Sequence, residues 1–427
     1  MTEDTRSADR RTLLEWIEAD REALIDFLSR FVRAASPNPP GDTREATAVL
    51  TDALGADGLP FRIVAPQETM PNIVGSFDGG RPGRHLVLNG HIDVFPAQES
   101  APGDRDPWSG AVEDGKLYGR GVADMKCGTA SSVIAYRYLY RLRERLSGRL
   151  TLTAVSDEET GGRWGARYLM ENFRDEVLGD CCLNGEPSGI HTVRFGDKGT
   201  LRFTLTARTR GAHGAYPHLS ESATKIIVRV ATELEALEDI EPNMPEEIRA
   251  ALAEPAAVAA VESSLGTGAS EVVPRVTVNI GMLHGGIKVN VLPDECQMQI
   301  DVRIPIGVDR EMVRGRIEEI LTRYPQVTLE EHIYHSYPYS VCDPKSDMVK
   351  ILQDNVETLM GHRPPPIISL GGADTRFWRW EGVNAYLYGP NPQSMGRRDE
   401  HVEIEEFLHI VRTHTLSAYD YLTAADG

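Results

Sequence analysis

The chain has 427 residues, which is long enough for two domains with separate hydrophobic cores. Its hydrophobic fraction of 41% is ordinary for a globular protein, and no apolar run reaches the length that spans a membrane. With 45 basic and 64 acidic residues, the formal charge of −19 makes nucleic acid and anionic lipid poor candidate partners, although solubility alone would also account for that charge.

The N-terminal part is predicted to alternate helices with strands. Apolar residues recur at helical spacing over 12–33, a Pro- and Gly-rich segment ends that helix, and a second helix is expected over 43–54. The elements predicted next are a strand at 86–88, a helix at 128–146, a strand at 150–155, a helix at 165–173 and a strand at 181–183. This alternation favours an α/β sheet with helices on both faces.

The pattern changes near Lys198. Strands of alternating polar and apolar residues are predicted at 200–209, 276–282 and 295–303, with helices at 222–237 and 310–323. These are the first five elements of the order strand-helix-strand-strand-helix-strand, which we predict for this part of the chain and which is typical of a ferredoxin-like α+β domain. The segment 238–274 is rich in Glu, Pro and Ala, and we expect it to be irregular and able to reshape a substrate entrance.

The α/β pattern resumes near Met348 and closes with a helix predicted over 404–422. We therefore predict three parts of the chain. Residues 1–198 and 337–427 form one α/β domain with a mixed, helix-flanked sheet, and residues 199–336 form an α+β domain inserted in it.

Polar motifs follow three of the predicted strands. They are Gly90-His91-Ile92-Asp93, Ser156-Asp157-Glu158-Glu159 and Asn184-Gly185-Glu186. Asp124 lies in a glycine-rich turn before the helix at 128–146. Ligands bind at the carboxyl edge of an open α/β sheet, so we expect these side chains to converge there. Adjacent glutamates repel unless a cation or a proton lies between them, which favours a metal site with one glutamate as ligand and one as general base.

Each motif also has a simpler explanation when it is taken alone. His91 and Asp93 could be a hydrogen-bonded surface pair, or Asp93 could fix the tautomer of a metal-binding His91. Asp124 could cap the helix that follows it, and the glutamates could belong to solvated loops. Convergence of all these groups on one edge of the sheet is the stronger account.

Several motifs in order resemble the M20 metallopeptidase family: GHID at 90–93, GRGVADMK at 119–126, EETGG at 158–162, GEP at 185–187 and a late histidine. That family includes acetylornithine deacetylases, succinyl-diaminopimelate desuccinylases, aminoacylases and carboxypeptidase G. The resemblance extends from about Pro37 to the C-terminus. It implies a metallohydrolase catalytic domain, an inserted ferredoxin-like dimerisation or lid domain, and a homodimer.

The resemblance also implies individual roles for the residues of the site. Five residues would hold two metal ions: His91 and Glu186 one ion, Glu159 and His401 the other, and Asp124 both. Glu158 would be the general base, and Asp93 would orient His91.

Further residues of the inserted domain and of the last α/β segment match the family. His213 would reach the active site of a neighbouring subunit and stabilise an oxyanion there, although it could instead be bonded locally. Asn290, Arg303 and Arg376 resemble contacts to a substrate carboxylate, for which an arginine fork is suited, and Arg303 could alternatively form a surface ion pair.

The implied activity is hydrolysis of a C–N bond with two divalent metal ions, zinc by default and manganese or cobalt as alternatives. The expected substrate is an N-acyl amino acid or a similar carboxylate-bearing amide. Two alternatives are hydrolytic deamination of an activated aromatic amine, as in nitroanthranilate aminohydrolases, and a non-catalytic metal-binding homologue. The N-terminal segment has no apolar signal core and the five cysteines form no paired motif, so we expect a cytoplasmic protein.

Overall fold

The structure, a computed structural model, describes residues 2–98 and 105–424 of the chain. The strands are, in chain order, β1 (Arg62–Val64), β2 (Asn72–Asp78), β3 (Arg81–His91), β4 (Val112–Glu113), β5 (Lys116–Tyr118), β6 (Ser147–Val155), β7 (Cys181–Asn184), β8 (Val193–Asp197), β9 (Gly199–Arg208), β10 (Ala212–His213), β11 (Thr277–Gly285), β12 (Val291–Leu292), β13 (Glu295–Ile304), β14 (Val327–Glu331), β15 (Ser340–Val341), β16 (Pro366–Ser369), β17 (Asn384–Leu387) and β18 (His401–Glu403).

The helices are, in chain order, α1 (Glu3–Ala19), α2 (Arg21–Arg33), α3 (Arg44–Ala56), α4 (Cys127–Arg141), α5 (Ala166–Asn172), α6 (Arg174–Val177), α7 (Ala223–Leu234), α8 (Glu246–Ala253), α9 (Pro255–Leu265), α10 (Ala269–Val272), α11 (Arg310–Leu321), α12 (Asp347–Met360), α13 (Thr375–Trp380) and α14 (Ile404–Thr423). None of the described helices is both long and apolar enough to cross a membrane.

The N-terminal helical pattern forms two helices instead of the single helix predicted. α1 ends at Ala19, Asp20 leaves the helical conformation, and α2 begins at Arg21. Leu13 in α1 and Leu28 in α2 are both fully buried in the same core. The apolar stripe therefore continues across the break, which is why its periodicity predicted one helix.

A nine-stranded mixed sheet forms the centre of the larger part of the molecule. Its strand order is β1-β2-β6-β3-β7-β17-β8-β15, and β16 also pairs with β8. Side chains of β3 alternate between two cores: Leu86 and Leu88 pack on the side of α2, α4 and α14, whereas Val87 packs on the side of α5 and α13. The predicted mixed sheet with helices on both faces is confirmed.

The positions of β6, β3 and β7 in this sheet place the predicted site. β3 pairs in parallel with both β6 and β7, so that His91 lies opposite Val155 and Asn89 lies opposite Asn184. Three parallel neighbours end at the same edge, and the polar motif that follows each of them is delivered to that edge.

A second, four-stranded antiparallel sheet has the order β11-β13-β9-β14. Its buried face packs against α7 and α11 in a separate core, and the six elements follow the strand-helix-strand-strand-helix-strand order expected from the sequence. β11 lies at one edge of this sheet, and most of its residues are exposed.

The segment between α7 and β11 is helical, so the expectation of irregular structure was wrong. The prediction took the prolines of this segment as helix breakers. Pro255, however, occupies the first turn of α9, where proline is well tolerated, and it does not interrupt a helix. Ile248, Ala257 and Val261 of α8 and α9 are buried in the core of the large sheet. This segment, residues 246–272, thus packs on the large sheet although strands of the small sheet flank it in the chain.

Candidate metal centre

Most of the predicted metal ligands meet at the carboxyl ends of β3, β6 and β7. Nε2 of His91 lies 3.2 Å from Oδ1 of Asp124 and 3.4 Å from Oε1 of Glu186. The ligand atoms of His91, Asp124 and Glu159 are all within 4.8 Å of one another, and so are those of His91, Glu158 and Glu186. The structure therefore brings these five predicted residues into one cluster.

Two glycines allow the segments of this cluster to approach closely. A Cβ atom on Gly128, at the start of α4, would lie 2.0 Å from the carbonyl oxygen of Gly185. A Cβ atom on Gly185 would lie 2.4 Å from Cα of Gly128. The turn that carries Asp124 and the loop that carries Glu186 can therefore touch only because both contact points lack a side chain.

The imidazole of His91 is oriented by the main chain of Asp93. Nδ1 of His91 lies 2.7 Å from the carbonyl oxygen of Asp93 and 3.6 Å from its Oδ1. An N–H at Nδ1 leaves Nε2 free to bind a metal ion. The residue predicted to orient His91 is thus in contact with it, but the shorter contact is to its carbonyl oxygen and not to its carboxylate.

The carboxylate of Asp93 instead holds the turn that follows β6. It accepts hydrogen bonds from the main-chain N–H of Glu158 at 3.2 Å and of Glu159 at 3.1 Å, and from Nδ2 of Asn38 at 2.9 Å. The adjacent glutamates are therefore positioned by a buried group on the neighbouring strand end, which sets their spacing relative to His91.

The electrostatics of the cluster favour a cation. Burial and the charge of Asp124 raise the pKa of Glu159 and that of Glu186 well above the usual value. Burial lowers the pKa of His91, but the carboxylates of Glu186 and Asp124 outweigh burial and raise it well above its usual value. Oε1 of Glu159 is buried and has no hydrogen-bond partner among the described residues. Carboxylate oxygens and one imidazole nitrogen in this arrangement fit a divalent metal ion.

The ring nitrogens of His401 make their contacts outside this cluster. His401 begins β18, which pairs with β5 so that this residue lies opposite Tyr118. Its Nδ1 lies 2.7 Å from the carbonyl oxygen of Asp399, and its Nε2 lies 3.3 Å from Nζ of Lys116. Among the described residues, neither compact group of candidate ligands includes His401, so its role as a metal ligand stays a prediction.

Glu400 is a residue of the site that sequence reasoning missed. It is 2% exposed, and its carboxylate accepts hydrogen bonds from Nη1 of Arg120 at 2.6 Å and from the N–H groups of Ala123 at 3.1 Å and Asp124 at 3.4 Å. It therefore joins the strand of His401 to the turn of Asp124. The available signal was an acidic residue directly before the late histidine, together with an arginine in the glycine-rich turn.

A cleft of about 440 Å³ opens beside the cluster. Its lining includes Glu158, Glu159 and Glu186 together with two of the predicted substrate contacts, Arg303 and Arg376. Arg303 donates to Oδ2 of Asp301 at 2.9 Å. The structure thus places two predicted carboxylate-binding residues in the same cleft as the metal cluster.

His213 and Asn290 lie together but outside that cleft. β10 and β12 form a two-stranded sheet, and the N–H of Gly214 donates to the carbonyl oxygen of Asn290 at 2.8 Å. Both side chains are exposed, and neither is among the described residues that line the cleft. The roles predicted for His213 and Asn290 therefore stay predictions.

Comparison with known proteins gives consistent matches over most of the chain. Residues 87–419 match the model of peptidase family M20/M25/M40. The succinyl-diaminopimelate desuccinylase of Psychromonas ingrahamii is 27% identical over 340 residues, which cover 78% of this chain and 82% of that enzyme.

Solved structures of the same family share the fold. The M20 family metallo-carboxypeptidase Sso-CP2 from Sulfolobus solfataricus superposes with a TM-score of 0.80 at 17% identity, covering 94% of this chain and 99% of that one. A dinuclear metal binding peptidase from the M20 family, the YXEP protein of Bacillus subtilis, superposes with a TM-score of 0.65 at 16% identity, covering 96% and 99%.

Proposed function

The chain belongs to peptidase family M20/M25/M40, and from that premise we propose that it deacylates an N-acyl amino acid or a similar carboxylate-bearing amide. Membership of this family makes the chain a metal-dependent hydrolase of C–N bonds, and the proposal adds that the substrate is an N-acyl amino acid. One observation supports this choice of substrate: the metal cluster and the guanidinium groups of Arg303 and Arg376 line the same cleft. An anion-binding group beside a hydrolytic centre selects amides that carry a carboxylate.

We propose that His91, Asp124, Glu159, Glu186 and His401 hold two divalent metal ions, zinc by default and manganese or cobalt as alternatives. When bound, such ions polarise an amide carbonyl and lower the pKa of water. Glu158 takes the proton of the attacking water and returns it to the leaving amine. Arg303 and Arg376 hold the carboxylate of the substrate, and the C–N bond breaks to give a carboxylic acid and a free amine.

We also propose a homodimer that brings His213 and Asn290 to the cleft of the partner subunit. The edge strand β11 supports this proposal, since it exposes Ile280, Met282 and Leu283. An exposed apolar edge strand is a template for pairing with another chain. A second copy is the occupant that fits, because the two exposed residues His213 and Asn290 lie on the same small domain and have no role in their own cleft. In that position, His213 would donate to the oxyanion of the tetrahedral intermediate.

A substrate screen tests the proposed activity. The metal-loaded protein would be incubated with N-acetylornithine, N-succinyl-diaminopimelate, further N-acetyl and N-succinyl amino acids, and aminobenzoates, while free amine and ammonia are measured separately. We expect amine release from an N-acyl amino acid, and a loss of at least about 100-fold in Glu158→Gln. Glu330→Gln is the matched control, because Glu330 is exposed on the far edge of the small sheet.

Other outcomes of the screen would replace this function. Ammonia from aminobenzoates without any deacylation would support hydrolytic deamination by the same centre. Protein purified without metal, and inactive after metal is added, would support a non-catalytic homologue. A cytoplasmic location stays a prediction, and it is supported by the five cysteines, which are all free thiols.

A further inference from the structure

Arg194 is a fully buried cation in the wall of the cleft beside the metal cluster. It extends from β8, is 1% exposed and lines the cleft near Glu186 and Leu265. Among the residues that the structure describes, its guanidinium donates to three neutral oxygens and no others: Ser188 O at 2.8 Å, Ser264 Oγ at 3.3 Å and Ile368 O at 3.3 Å. Its Nε atom is buried and has no hydrogen-bond partner in the described chain. The hydrogen-bonding capacity of this cation is thus only partly used.

The other arginines that line the cleft all have a carboxylate partner. Arg202 and Arg303 contact Asp301, and Arg376 contacts Glu158. Within the described part of the chain, Arg194 has no carboxylate oxygen within 4.0 Å. A buried cation without a counter-ion is destabilising, and an anion bound in the cleft would remove that penalty.

The carboxylate that favours the charged form of Arg194 is already paired with another arginine. Asp197 favours the charged form of Arg194, but Arg379 donates to Asp197 from Nη1 at 2.6 Å. Burial lowers the pKa of Arg194 to about 10, so its guanidinium remains charged at neutral pH. The position therefore offers a permanent positive charge to whatever occupies the adjacent part of the cleft.

One contact of Arg194 comes from the segment 246–272. Ser264 belongs to α9, which ends at Leu265 in the wall of the cleft. The carboxylate of Glu262 accepts hydrogen bonds from the N–H groups of Gly268 and Ser270, which holds the turn after α9. The segment 246–272 therefore forms part of the wall of the cleft, and the hydroxyl of Ser264 holds the guanidinium of Arg194 against that wall.

We propose that Arg194 is a specificity-determining residue that binds a carboxylate at the end of the acyl group, with Ser264 as its positioning residue. The substrate is then an amide in which both the acyl group and the amine portion carry a carboxylate. Arg194 and Arg376 line the same cleft but have different contacts, since Arg194 donates to the carbonyl oxygen of Ser188 in the loop after Glu186 and Arg376 donates to the carboxylate of Glu158. This inference rests on the proposed deacylation.

A pair of substrates that differ only in the terminal carboxylate tests the proposal. The metal-loaded full-length protein would be assayed on the N-succinyl and N-butanoyl derivatives of one amino acid, which have acyl chains of equal length. We expect Arg194→Gln to lower kcat/KM about 10- to 100-fold for the succinyl substrate and less than about twofold for the butanoyl substrate. Ser264→Ala should lower only the succinyl value, by about two- to fivefold. Ser263→Ala, at the exposed neighbouring position, is the matched control.

The ratio of the two kcat/KM values separates recognition from stability. Equal losses on both substrates in Arg194→Gln would overturn the proposal and leave Arg194 a structural residue. If Arg194→Gln does not fold, the succinyl-to-butanoyl ratio of Ser264→Ala decides, and an unchanged ratio would overturn it.

Binding measurements separate this inference from the proposed activity. Hydrolysis of neither substrate by the unaltered protein would count against the deacylation itself. Calorimetry with succinate and butanoate then tests the anion site alone, since product binding needs no turnover. We expect succinate to bind at least about tenfold more tightly than butanoate and Arg194→Gln to remove that preference. Equal affinities in the unaltered protein would overturn the role of Arg194.

Discussion

Arg376 donates a hydrogen bond from Nη1 to Oε1 of Glu158 at 3.0 Å, which pairs a predicted substrate contact with the predicted general base. Burial lowers the pKa of Arg376, but the carboxylate of Glu158 outweighs burial and raises it. A substrate carboxylate that takes over this guanidinium would leave Glu158 free to accept a proton. Recognition of the substrate and release of the base are then the same event.

Arg376→Gln should raise KM for an N-acyl amino acid about 10- to 100-fold, because a charge-assisted hydrogen bond to the substrate carboxylate is lost. Steady-state kinetics would compare that substrate with the corresponding N-acyl amine, which lacks the carboxylate and should change much less. Arg208→Gln, at an exposed position of β9, serves as the control. An unchanged KM for the carboxylate-bearing substrate would remove Arg376 from substrate binding.

His401→Ala should lower the metal content from two ions per chain to one, because one of the two proposed sites loses a ligand. Elemental analysis after dialysis against a low concentration of the metal would measure this content. His191→Ala is the control, since His191 pairs with His362 on the surface at 2.9 Å. Two ions retained in His401→Ala would show that His401 is not a metal ligand.

Glu400→Gln should weaken metal binding about 10- to 100-fold, because the carboxylate that orients the turn of Asp124 loses its charge. Titration with a chromophoric chelator as competitor would measure the affinity. Glu405→Gln, an exposed position in the first turn of α14, is the matched control. If both variants bind metal equally well, the contact between Glu400 and the turn has no influence on the ligands.

Mixing two inactive variants should restore activity if His213 acts in the cleft of its partner. In a heterodimer of His213→Ala and Glu158→Gln, one cleft has an intact Glu158 and receives His213 from the other subunit. Random exchange should therefore restore about a quarter of the activity of the unaltered protein. Leu283→Lys in the edge strand β11 should abolish both the dimer and the activity, whereas Glu330→Lys at the opposite edge should change neither. Sedimentation as a fully active monomer would exclude this role of His213.

Removal of metal should destabilise the protein more at pH 8 than at pH 5. The pKa values of Glu159, Glu186 and His91 are all raised in the folded state. Such groups stabilise the fold below their unfolded pKa, and this contribution is lost as the pH rises through the folded pKa. As the pH rises above the ordinary pKa values, the unfolded chain loses these protons while the metal-free fold still holds them, so the metal-free fold becomes less stable relative to the unfolded chain.

Thermal unfolding of chelator-treated and metal-loaded protein at the two pH values measures this effect. At a metal concentration 100-fold above the dissociation constant, binding should add about 2.7 kcal/mol to the free energy of unfolding. The double variant Glu159→Gln/Glu186→Gln should lose most of the pH dependence of the metal-free protein. A metal-free protein that is equally stable at both pH values would contradict the proposed crowding of carboxylates.

Much of the metal cluster could be predicted because its signals are local. His91, Glu159 and Glu186 each follow a short apolar strand, and an α/β alternation places successive parallel strands side by side. The same few residues therefore indicated both the type of each metal ligand and its place at the end of a strand. The helices of segment 246–272 were not predicted, because their short apolar stripes are separated by prolines that also occur in irregular chain.

The sequence by itself determined which side chains gather at one edge of the sheet, since that depends on strand order and on the residues at strand ends. Only the tertiary structure decided their partners. The hydrogen bond between Arg376 and Glu158 joins positions 218 residues apart, and the contact between Arg194 and Ser264 joins positions 70 residues apart. Contacts of this kind arise when separate elements pack against one another, and no periodicity or motif within either element encodes which groups will meet.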